Sequence, residues 1–319
     1  MPVETVFPLK GKRVWVAGHR GMVGSAIVRR LAREDCSVLT VDRGEVDLMR
    51  QDQVHRWLNE ARPDAIFLAA ARVGGIRAND SRPADFLYEN LMIAGNVVEA
   101  AHQHNVAKLM VLGSSCIYPR LAPQPIPEEA LLTGPLEPTN EAYAVAKIAA
   151  LKLAQAYRRQ HGDDFIAAMP TNLYGPGDNF DLFEAHALPS LLRKAHEAKA
   201  RGARQLVMGG TGAPKREFLH VDDCADALVF LMKTFSGDTQ VNVGSGEDLS
   251  IRELTELVCE VVGFRGEIVN DLTIPDGMPR KLMSAKRLRG MGWAPTIDLK
   301  TGLRETYRWF LENAAVEPA

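Results

Sequence analysis

Residues 13–24 read RVWVAGHRGMVG, a short apolar run that ends in three glycines with the spacing G-x-x-G-x-x-G. The run Arg13–Ala17 predicts a buried strand, and the periodicity of Ser25–Arg33 predicts the helix that follows it. Glycines between such a strand and helix permit a tight turn and the close approach of a pyrophosphate to the backbone. The stretch therefore predicts a dinucleotide site, whose lining residues would be Gly18, His19, Arg20, Gly21, Met22, Val23 and Gly24.

Strand-like and helix-like segments alternate along the rest of the chain. The predicted strands are Ser37–Val41, Ala65–Ala70, Lys108–Leu112, Phe165–Met169 and Val241–Val243. The predicted helices are Val54–Glu60, Phe86–His104, Glu141–Gln160 and Val221–Lys233, with Asn140 as an N-cap and Gly162 as a C-terminal stop. This alternation predicts an α/β fold, a Rossmann-type doubly wound parallel sheet with helices on both faces.

The regular alternation ends after Pro170. Residues 175–181 are rich in Gly, Pro, Asn and Asp, which predicts a loop, and residues 201–216 are rich in Gly and basic side chains. We expect a nucleotide-binding domain formed by residues 1–172, to which about 217–245 return. A smaller C-terminal α/β lobe would be formed by residues 173–216 and 246–319.

Composition excludes several classes of protein. The chain has 319 residues, 46% of them hydrophobic and 24% charged, and its net charge of -2 gives no general attraction to nucleic acid or to a membrane surface. No apolar run approaches the ~18–20 residues of a membrane span, and MPVETVFPLKGKR has no signal-peptide core. The four cysteines form no C-x-x-C pair, which favours a reducing cytoplasm and argues against a disulfide framework or a zinc site.

Residues near the end of the second predicted strand bear on the choice of dinucleotide. Asp42 falls 18 residues after Gly24, where an acid would accept a hydrogen bond from the ribose 2′-hydroxyl of NAD. Arg43 follows directly, and it or Arg20 could instead pair with the 2′-phosphate of NADP. The sequence leaves NADP and NAD both open at this point.

Polar side chains capable of acid–base chemistry follow the later strands. Ser114 comes directly after the strand that ends at Leu112, and Tyr143 and Lys147 have the i, i+4 spacing that places both on one helix face. An ammonium beside a phenol is expected to lower its pKa from ~10. The pattern predicts a nicotinamide-dependent oxidoreductase, with a second group of cofactor contacts at Leu112, Gly113, Ser114, Ser115, Lys147, Pro170, Thr171, Asn172 and Leu173.

Several longer motifs resemble one family, the GDP-L-fucose synthases of the extended short-chain dehydrogenase/reductase superfamily. The motifs include LAAARVGGI at 68–76, GSSCIYP at 113–119, PTNLYGPGDNF at 170–180 and PDGMPRKLM at 275–283. They occur in order from about Arg13 to about Asn313, which is nearly the whole chain.

The resemblance implies two reactions at one site. The substrate would be GDP-4-keto-6-deoxy-D-mannose, whose C4 ketone acidifies the protons on C3 and C5. Cys116 and His186 would exchange those protons, and His186 would also contact the cofactor. Ser114 and Tyr143 would stabilise the enolate oxygen. Reduction at C4 by NADPH, with Tyr143 as the proton donor and Lys147 beside it, would then give GDP-L-fucose.

The resemblance also implies a set of substrate contacts. They are Asn172, Lys194, Gly209, Arg216, Asp276 and Lys281. Two positions depart from the family pattern. Asp42 stands where the family has no acid, and Gly209 stands where an aromatic wall of tryptophan is expected.

Alternatives remain within and outside the enzyme class. A related GDP-keto-deoxysugar, such as the dideoxy precursor of GDP-colitose, could use the same residues, and a catalytically idle protein that binds NADP or a nucleotide-sugar could share the fold. A simple 4-epimerase would not need the Cys116/His186 pair. Helices Asp85–His104 and Glu141–Gln160 resemble the four-helix interface of a homodimer, unless their small residues pack only within the monomer. Those residues are Ala142, Ala146, Ala149, Ala150, Leu153 and Ala154.

Overall fold

The structure is a computed structural model that describes residues 4–274 and 276–313. Its helices are, in chain order, α1 (Met22–Leu31), α2 (Gln51–Ala61), α3 (Ile76–Ser81), α4 (Pro83–Gln103), α5 (Glu141–His161), α6 (Ala187–Ala200), α7 (Val221–Thr234), α8 (Ile251–Val262), α9 (Lys286–Gly290) and α10 (Leu299–Asn313). Its strands are β1 (Arg13–Ala17), β2 (Ser37–Leu39), β3 (Ala65–Leu68), β4 (Lys108–Leu112), β5 (Phe165–Pro170), β6 (Asn172–Tyr174), β7 (Gln205–Gly209), β8 (Lys215–His220), β9 (Val241–Val243), β10 (Asp248–Ser250), β11 (Glu267–Asp271) and β12 (Arg280–Lys281).

The larger sheet has six parallel strands in the order β2-β1-β3-β4-β5-β9. Strand β1 pairs with β2 on one side and with β3 on the other, so the chain changes direction across the sheet at β1. A crevice opens at the carboxyl ends of the strands on either side of such a change, and ligands of doubly wound sheets bind there. This geometry confirms the predicted fold class and places the glycine loop after β1 at the crevice.

Alternating side chains of β1 explain how both faces of the sheet are covered. Val14 and Val16 pack with α1 and α7 in one apolar core, whereas Trp15 and Ala17 pack with α2, α4 and α5 in another. The two cores bury the strands on both faces, as parallel sheets require. The sheet therefore provides a rigid base for the loops at its carboxyl edge.

The remaining strands and helices form a smaller layer beside the crevice. Strand β8 pairs with β6, β10 and β12, while β7 pairs with β11. Helices α6, α8 and α10 contribute Leu192, Val258 and Phe310 to a third apolar core. Helix α7 and strand β9 return to the large sheet between these segments. The division of the chain at 172, 217 and 245 remains our interpretation, and residues 314–319 of the second lobe lie outside the described residues.

Local sequence patterns predicted the first half of the fold better than the second. The predicted strands and helices up to Met169 are confirmed with end shifts of a few residues, and Gly162 ends α5 with a left-handed φ of 80°. The Gly-rich and basic stretch 201–216 contains β7 and the start of β8, two strands that no sequence pattern had predicted. Asn140 occupies the N-cap position of α5, but its side chain makes no capping hydrogen bond. None of the described helices is long and apolar enough to cross a membrane.

Candidate active site

The glycine loop between β1 and α1 leaves no room for a Cβ at Gly18 or at Gly24. Gly18 has a φ of 91°, and a Cβ added to it would lie 2.6 Å from the backbone nitrogen of Ala70, just beyond β3. A Cβ on Gly24 would overlap the carbonyl oxygen of Gly18. Helix α1 begins at Met22 with no side-chain cap and no acidic residue in its first turn. A helix N-terminus of this kind fits the pyrophosphate of a dinucleotide, because its free N–H groups and positive dipole end face the anion.

Asp42, the acid that could accept a hydrogen bond from the ribose of NAD, is already paired within this loop region. Arg20 Nη2 lies 2.5 Å from Asp42 Oδ2, and His19 Nε2 lies 3.3 Å from Asp42 Oδ1. Arg43 is exposed beside them. The positive charge of Arg20 therefore offsets much of the negative charge of Asp42 at the position where a ribose 2′-substituent would lie.

Ser114, Cys116, Tyr143 and Lys147 meet beyond the end of β4. Ser114 Oγ accepts a hydrogen bond from the Cys116 N–H at 3.4 Å, and Ser114 also hydrogen-bonds with Tyr143. Cys116 is buried on a short 3₁₀ turn. Lys147 Nζ donates to the Leu112 carbonyl oxygen at 2.9 Å and lies 5.7 Å from the centre of the Tyr143 ring. The structure thus brings the predicted reductase residues together.

Burial dominates the proton affinities of this group. It raises the pKa of Tyr143, against the hydrogen bond from Ser114, which lowers it. Burial also lowers the pKa of Lys147 to about 8. The expectation that Lys147 depresses the pKa of Tyr143 is not met, because burial of the phenol has the largest effect on that pKa; the Lys147 ammonium donates instead to the Leu112 carbonyl oxygen. Tyr143 is therefore a protonated phenol at neutral pH, which suits a proton donor.

His186 lies at the start of α6, where it occupies the N-cap position with an extended backbone. Its side chain is open to solvent, yet the surrounding protein atoms lower its pKa, and the charge of Lys281 lowers it further. Lys281 also interacts electrostatically with Cys116. His186 is therefore a neutral base at pH 7, and Lys281 lies within electrostatic reach of both predicted proton-transfer residues.

The predicted substrate cations lie on neighbouring strands. Arg216 on β8 is in register with Lys281 on β12. Arg216 Nη1 donates to the Met278 carbonyl oxygen at 2.7 Å, which holds the guanidinium in place, and burial lowers its pKa. Lys194 is exposed on α6. Asn172 Nδ2 donates to the Glu217 carbonyl oxygen at 2.8 Å.

The other two predicted contacts have local partners. Asp276 accepts hydrogen bonds from the N–H and the hydroxyl of Thr211 at 2.9 and 2.6 Å. Pro275, the first residue of the PDG motif, lies outside the described residues. A Cβ on Gly209 would lie 3.0 Å from Cδ1 of Ile274. An aliphatic side chain thus packs at the position where the resemblance implied an aromatic one.

One buried acid was not predicted from the sequence. The Glu217 carboxylate accepts hydrogen bonds from the Gly246 N–H at 2.7 Å and the Met283 N–H at 3.0 Å, and also binds the hydroxyls of Thr171 and Ser245. Burial raises its pKa. The side chain joins the end of β5 to the segments beside β10 and β12. A charged residue within the run REFLH was the signal that could have indicated it.

Comparison with known proteins agrees with this geometry. The profile of the "NAD dependent epimerase/dehydratase family" matches residues 14–244. A GDP-L-fucose synthase of Sinorhizobium fredii is 57% identical, with 97% of this chain and 99% of the relative covered. The Escherichia coli GDP-L-fucose synthase is 51% identical, with 95% of this chain and 97% of the relative covered.

A solved structure shows the same fold. The GDP-L-fucose synthetase of Naegleria fowleri bound to NADP superposes with a TM-score of 0.89 at 28% identity, and 98% of each chain is covered. The nucleotide site and these likenesses place the chain in a class of nicotinamide-dependent α/β enzymes. The chain belongs to the NAD dependent epimerase/dehydratase family and, within it, to the GDP-L-fucose synthase group. The resemblance predicted from the motifs is thereby confirmed.

Proposed function

We propose that this protein converts GDP-4-keto-6-deoxy-D-mannose to GDP-L-fucose by 3,5-epimerisation and NADPH-dependent reduction at C4. Besides membership of the GDP-L-fucose synthase group, one feature of the site supports the proposal. Tyr143 and Lys147, which suit a reductase, interact electrostatically with Cys116, and Lys281 does so with both Cys116 and His186. A reductase set and a proton-transfer pair thus serve one cleft.

Epimerisation requires a base and an acid on the two sides of the sugar ring. In the proposal, Cys116 and His186 remove a proton from C3 or C5 and return one to the opposite face. The electrons of the broken C–H bond move to the C4 oxygen as an enolate. Hydrogen bonds from Ser114 and Tyr143 stabilise that oxygen, and donors fixed before the reaction do so most effectively.

Reduction then uses the same oxygen. When NADPH is bound, it would supply the hydride that reduces C4. The raised pKa keeps Tyr143 protonated until negative charge develops on the C4 oxygen, and the phenol, which hydrogen-bonds with Ser114, then donates its proton to that oxygen. The ammonium of Lys147 stabilises the phenolate left behind and holds the nicotinamide ribose. Asn172 orients the sugar beside the cofactor.

Binding of the nucleotide-sugar is assigned to the smaller lobe. A diphosphate carries about two negative charges, and a guanidinium contacts it through paired hydrogen bonds. Arg216 and Lys281 would bind the diphosphate together, with Lys194 nearby. Asp276 and Gly209 would lie at the guanosine.

The test follows both reactions in one sample. The protein is incubated in deuterated buffer with GDP-4-keto-6-deoxy-D-mannose, and separately with its 3-deoxy analogue, with NADPH, with NADH or without cofactor. We expect deuterium at C3 and C5 and GDP-L-fucose with NADPH. NADPH oxidation without deuterium incorporation at C3 and C5 would indicate a simple reductase. Faster turnover of the 3-deoxy analogue would indicate a GDP-colitose-type enzyme. If the protein catalyses neither exchange nor NADPH oxidation, it is a binding protein and not an enzyme.

Asp42 is expected to limit the preference for NADPH over NADH. Its carboxylate repels a 2′-phosphate and occupies Arg20, which could otherwise bind that phosphate. Asp42→Ala should raise the ratio of kcat/KM for NADPH to that for NADH about tenfold, equivalent to ~1.4 kcal/mol. Asp52→Ala, which removes an exposed acid from α2, is the matched control. An unchanged or lower ratio for Asp42→Ala contradicts the expectation.

The pH dependence of deuterium exchange should report His186. As the pH falls, exchange stops when the base is protonated, and the pKa of His186 is lowered by desolvation from the neighbouring protein atoms and by the charge of Lys281. The acid limb should therefore lie below ~6.5, the ordinary value for histidine. Removal of the cation in Lys281→Met should move the limb to higher pH at saturating substrate, whereas Lys286→Met on α9 should not. A limb above the ordinary value in the wild type, or a shift to lower pH in Lys281→Met, argues against His186.

We also propose a cytoplasmic homodimer. All four cysteines are free thiols. Tyr88, Leu91 and Val145 on α4 and α5 are 61%, 37% and 41% exposed, which leaves an apolar face beside the small residues Ala142, Ala149 and Leu153. The other residues of the predicted small-residue run, Ala146, Ala150 and Ala154, are buried within the protomer.

A further inference from the structure

The motif LAAARVGGI has no role in the proposed reaction, yet its glycine turn contacts the segment that carries His186. The Gly75 N–H donates to the Glu184 carbonyl oxygen at 2.7 Å. A Cβ on Gly75 would lie 2.5 Å from the carbonyl oxygen of Ala185, the residue immediately before His186. The φ of Gly75 is -66°, so space and not backbone strain requires glycine here.

One side chain fixes the glycine turn, and an ion pair joins the turn's segment to the segment that carries His186. Asn79, buried on α3, donates to the carbonyl oxygens of Gly74 and Gly75 at 2.8 and 3.0 Å. Arg82 forms an ion pair with Glu184, and both side chains are only partly exposed. The turn is thus fixed from α3, and the backbone before His186 is fixed to the turn.

The same turn also contacts the residue that supports Tyr143. A Cβ on Gly74 would lie 3.1 Å from Cζ of Phe86. Phe86 packs edge-to-face on Tyr143, with ring centres 6.2 Å apart and planes at 86°. The guanidinium of Arg72 lies 5.4 Å from the centre of the Phe86 ring. The glycine turn at residues 74–75 therefore contacts both Phe86, which packs on Tyr143, and the backbone immediately before His186.

We propose that Gly75 and Glu184 are positioning residues for the epimerisation, which set the place of His186 relative to Tyr143. This inference rests on the proposed function. Proton transfer needs heavy atoms within ~2.6–3.2 Å, so a displaced histidine loses it quickly. Hydride transfer at C4 depends on Tyr143, Lys147 and the nicotinamide, which other segments of the chain hold, and the contact with the cofactor that the resemblance implies for His186 is one of many. The two half-reactions should therefore respond differently.

Gly75→Ala tests this, because the added methyl group must displace the Ala185 carbonyl. Exchange is measured as deuterium incorporation into GDP-4-keto-6-deoxy-D-mannose without cofactor. Hydride transfer is measured as NADPH formed from GDP-L-fucose and NADP⁺ in a single turnover. We expect exchange to fall between about tenfold and a hundredfold and NADPH formation to change by less than about twofold. Gly290→Ala is the control, since a Cβ there meets nothing within 4 Å.

A second pair of variants adds no atoms at the contact. Glu184→Gln removes the charge that pairs with Arg82 and should lower exchange in the same selective way, whereas Arg82→Lys keeps the ion pair and should retain exchange. If Gly75→Ala fails to fold, the exchange rates of Glu184→Gln and Arg82→Lys test the positioning role on their own. Unchanged exchange in Gly75→Ala and Glu184→Gln, or an equal fall in both reactions, overturns the inference while the proposed function stands. A wild type with neither reaction overturns the proposed function and the inference with it.

Discussion

Tyr143→Phe is expected to lower hydride transfer to the C4 ketone about 10³-fold, within the range of ~10²–10⁴ observed for the loss of a general acid. Only the phenolic hydroxyl is removed. The ring keeps its edge-to-face contact with Phe86, so the fold and the cofactor site should persist. The hydroxyl donates the proton that the C4 oxygen needs, and water in the cleft would replace it poorly.

NADPH oxidation in the presence of the keto-sugar measures this effect. Tyr157→Phe is the matched control, because it removes a phenol from the same helix that contacts Glu99 and not the cleft. Deuterium exchange should fall less than hydride transfer, since Ser114 still donates to the enolate oxygen. Unchanged NADPH oxidation in Tyr143→Phe would remove the central step of the proposed mechanism.

The parts of the site that local sequence could predict are those formed by residues only a few positions apart in the chain. The glycine loop lies between one strand and one helix, and Tyr143 and Lys147 lie four residues apart on α5. Their geometry follows from helix periodicity and from the carboxyl edge of a parallel sheet. Even so, the proton affinity of Tyr143 did not follow, because burial depends on the whole fold.

The parts that could not be predicted join residues far apart in sequence. Arg20 pairs with Asp42, so the acid that suggested NAD is not a free acid in the folded chain. Glu217 binds the segment around Met283, and Gly75 binds the backbone at Glu184. No periodicity or spacing within either partner signals such contacts. They became visible only when the structure placed the segments side by side.

Secondary structure shows the same limit. Strand β7 alternates exposed and buried residues over only five positions, and glycines follow it, so the pattern is too short to predict a strand. Asn140 has the residue type and the position of a helix cap, but its Oδ1 is buried with no hydrogen-bond partner among the described residues. Residue propensity correctly predicted that α5 begins after Asn140, but it wrongly predicted a capping hydrogen bond from the Asn140 side chain, because tertiary packing decides where a side chain points.

Cys116→Ser is expected to lower deuterium exchange about 10³-fold, as the loss of a proton-transfer group allows. Serine has nearly the same shape as cysteine, and the N–H of residue 116 still donates to Ser114 Oγ. The difference is chemical, because a hydroxyl is a much weaker acid than a thiol and seldom takes up a carbon-bound proton. NADPH formation from GDP-L-fucose and NADP⁺ should persist, since Tyr143, Lys147 and Ser114 are unchanged.

Cys36→Ser, which replaces a half-buried thiol between the C-terminal end of α1 and β2, controls for any general effect of losing a cysteine. Exchange at C3 and at C5 should be followed separately by NMR. If both positions stop exchanging in Cys116→Ser, the thiol takes part in each inversion. If only one stops, Cys116 serves that carbon and His186 is left as the base for the other. Full exchange at both carbons would show that Cys116 is a packing residue, and the epimerase half of the proposal would then rest on His186 alone.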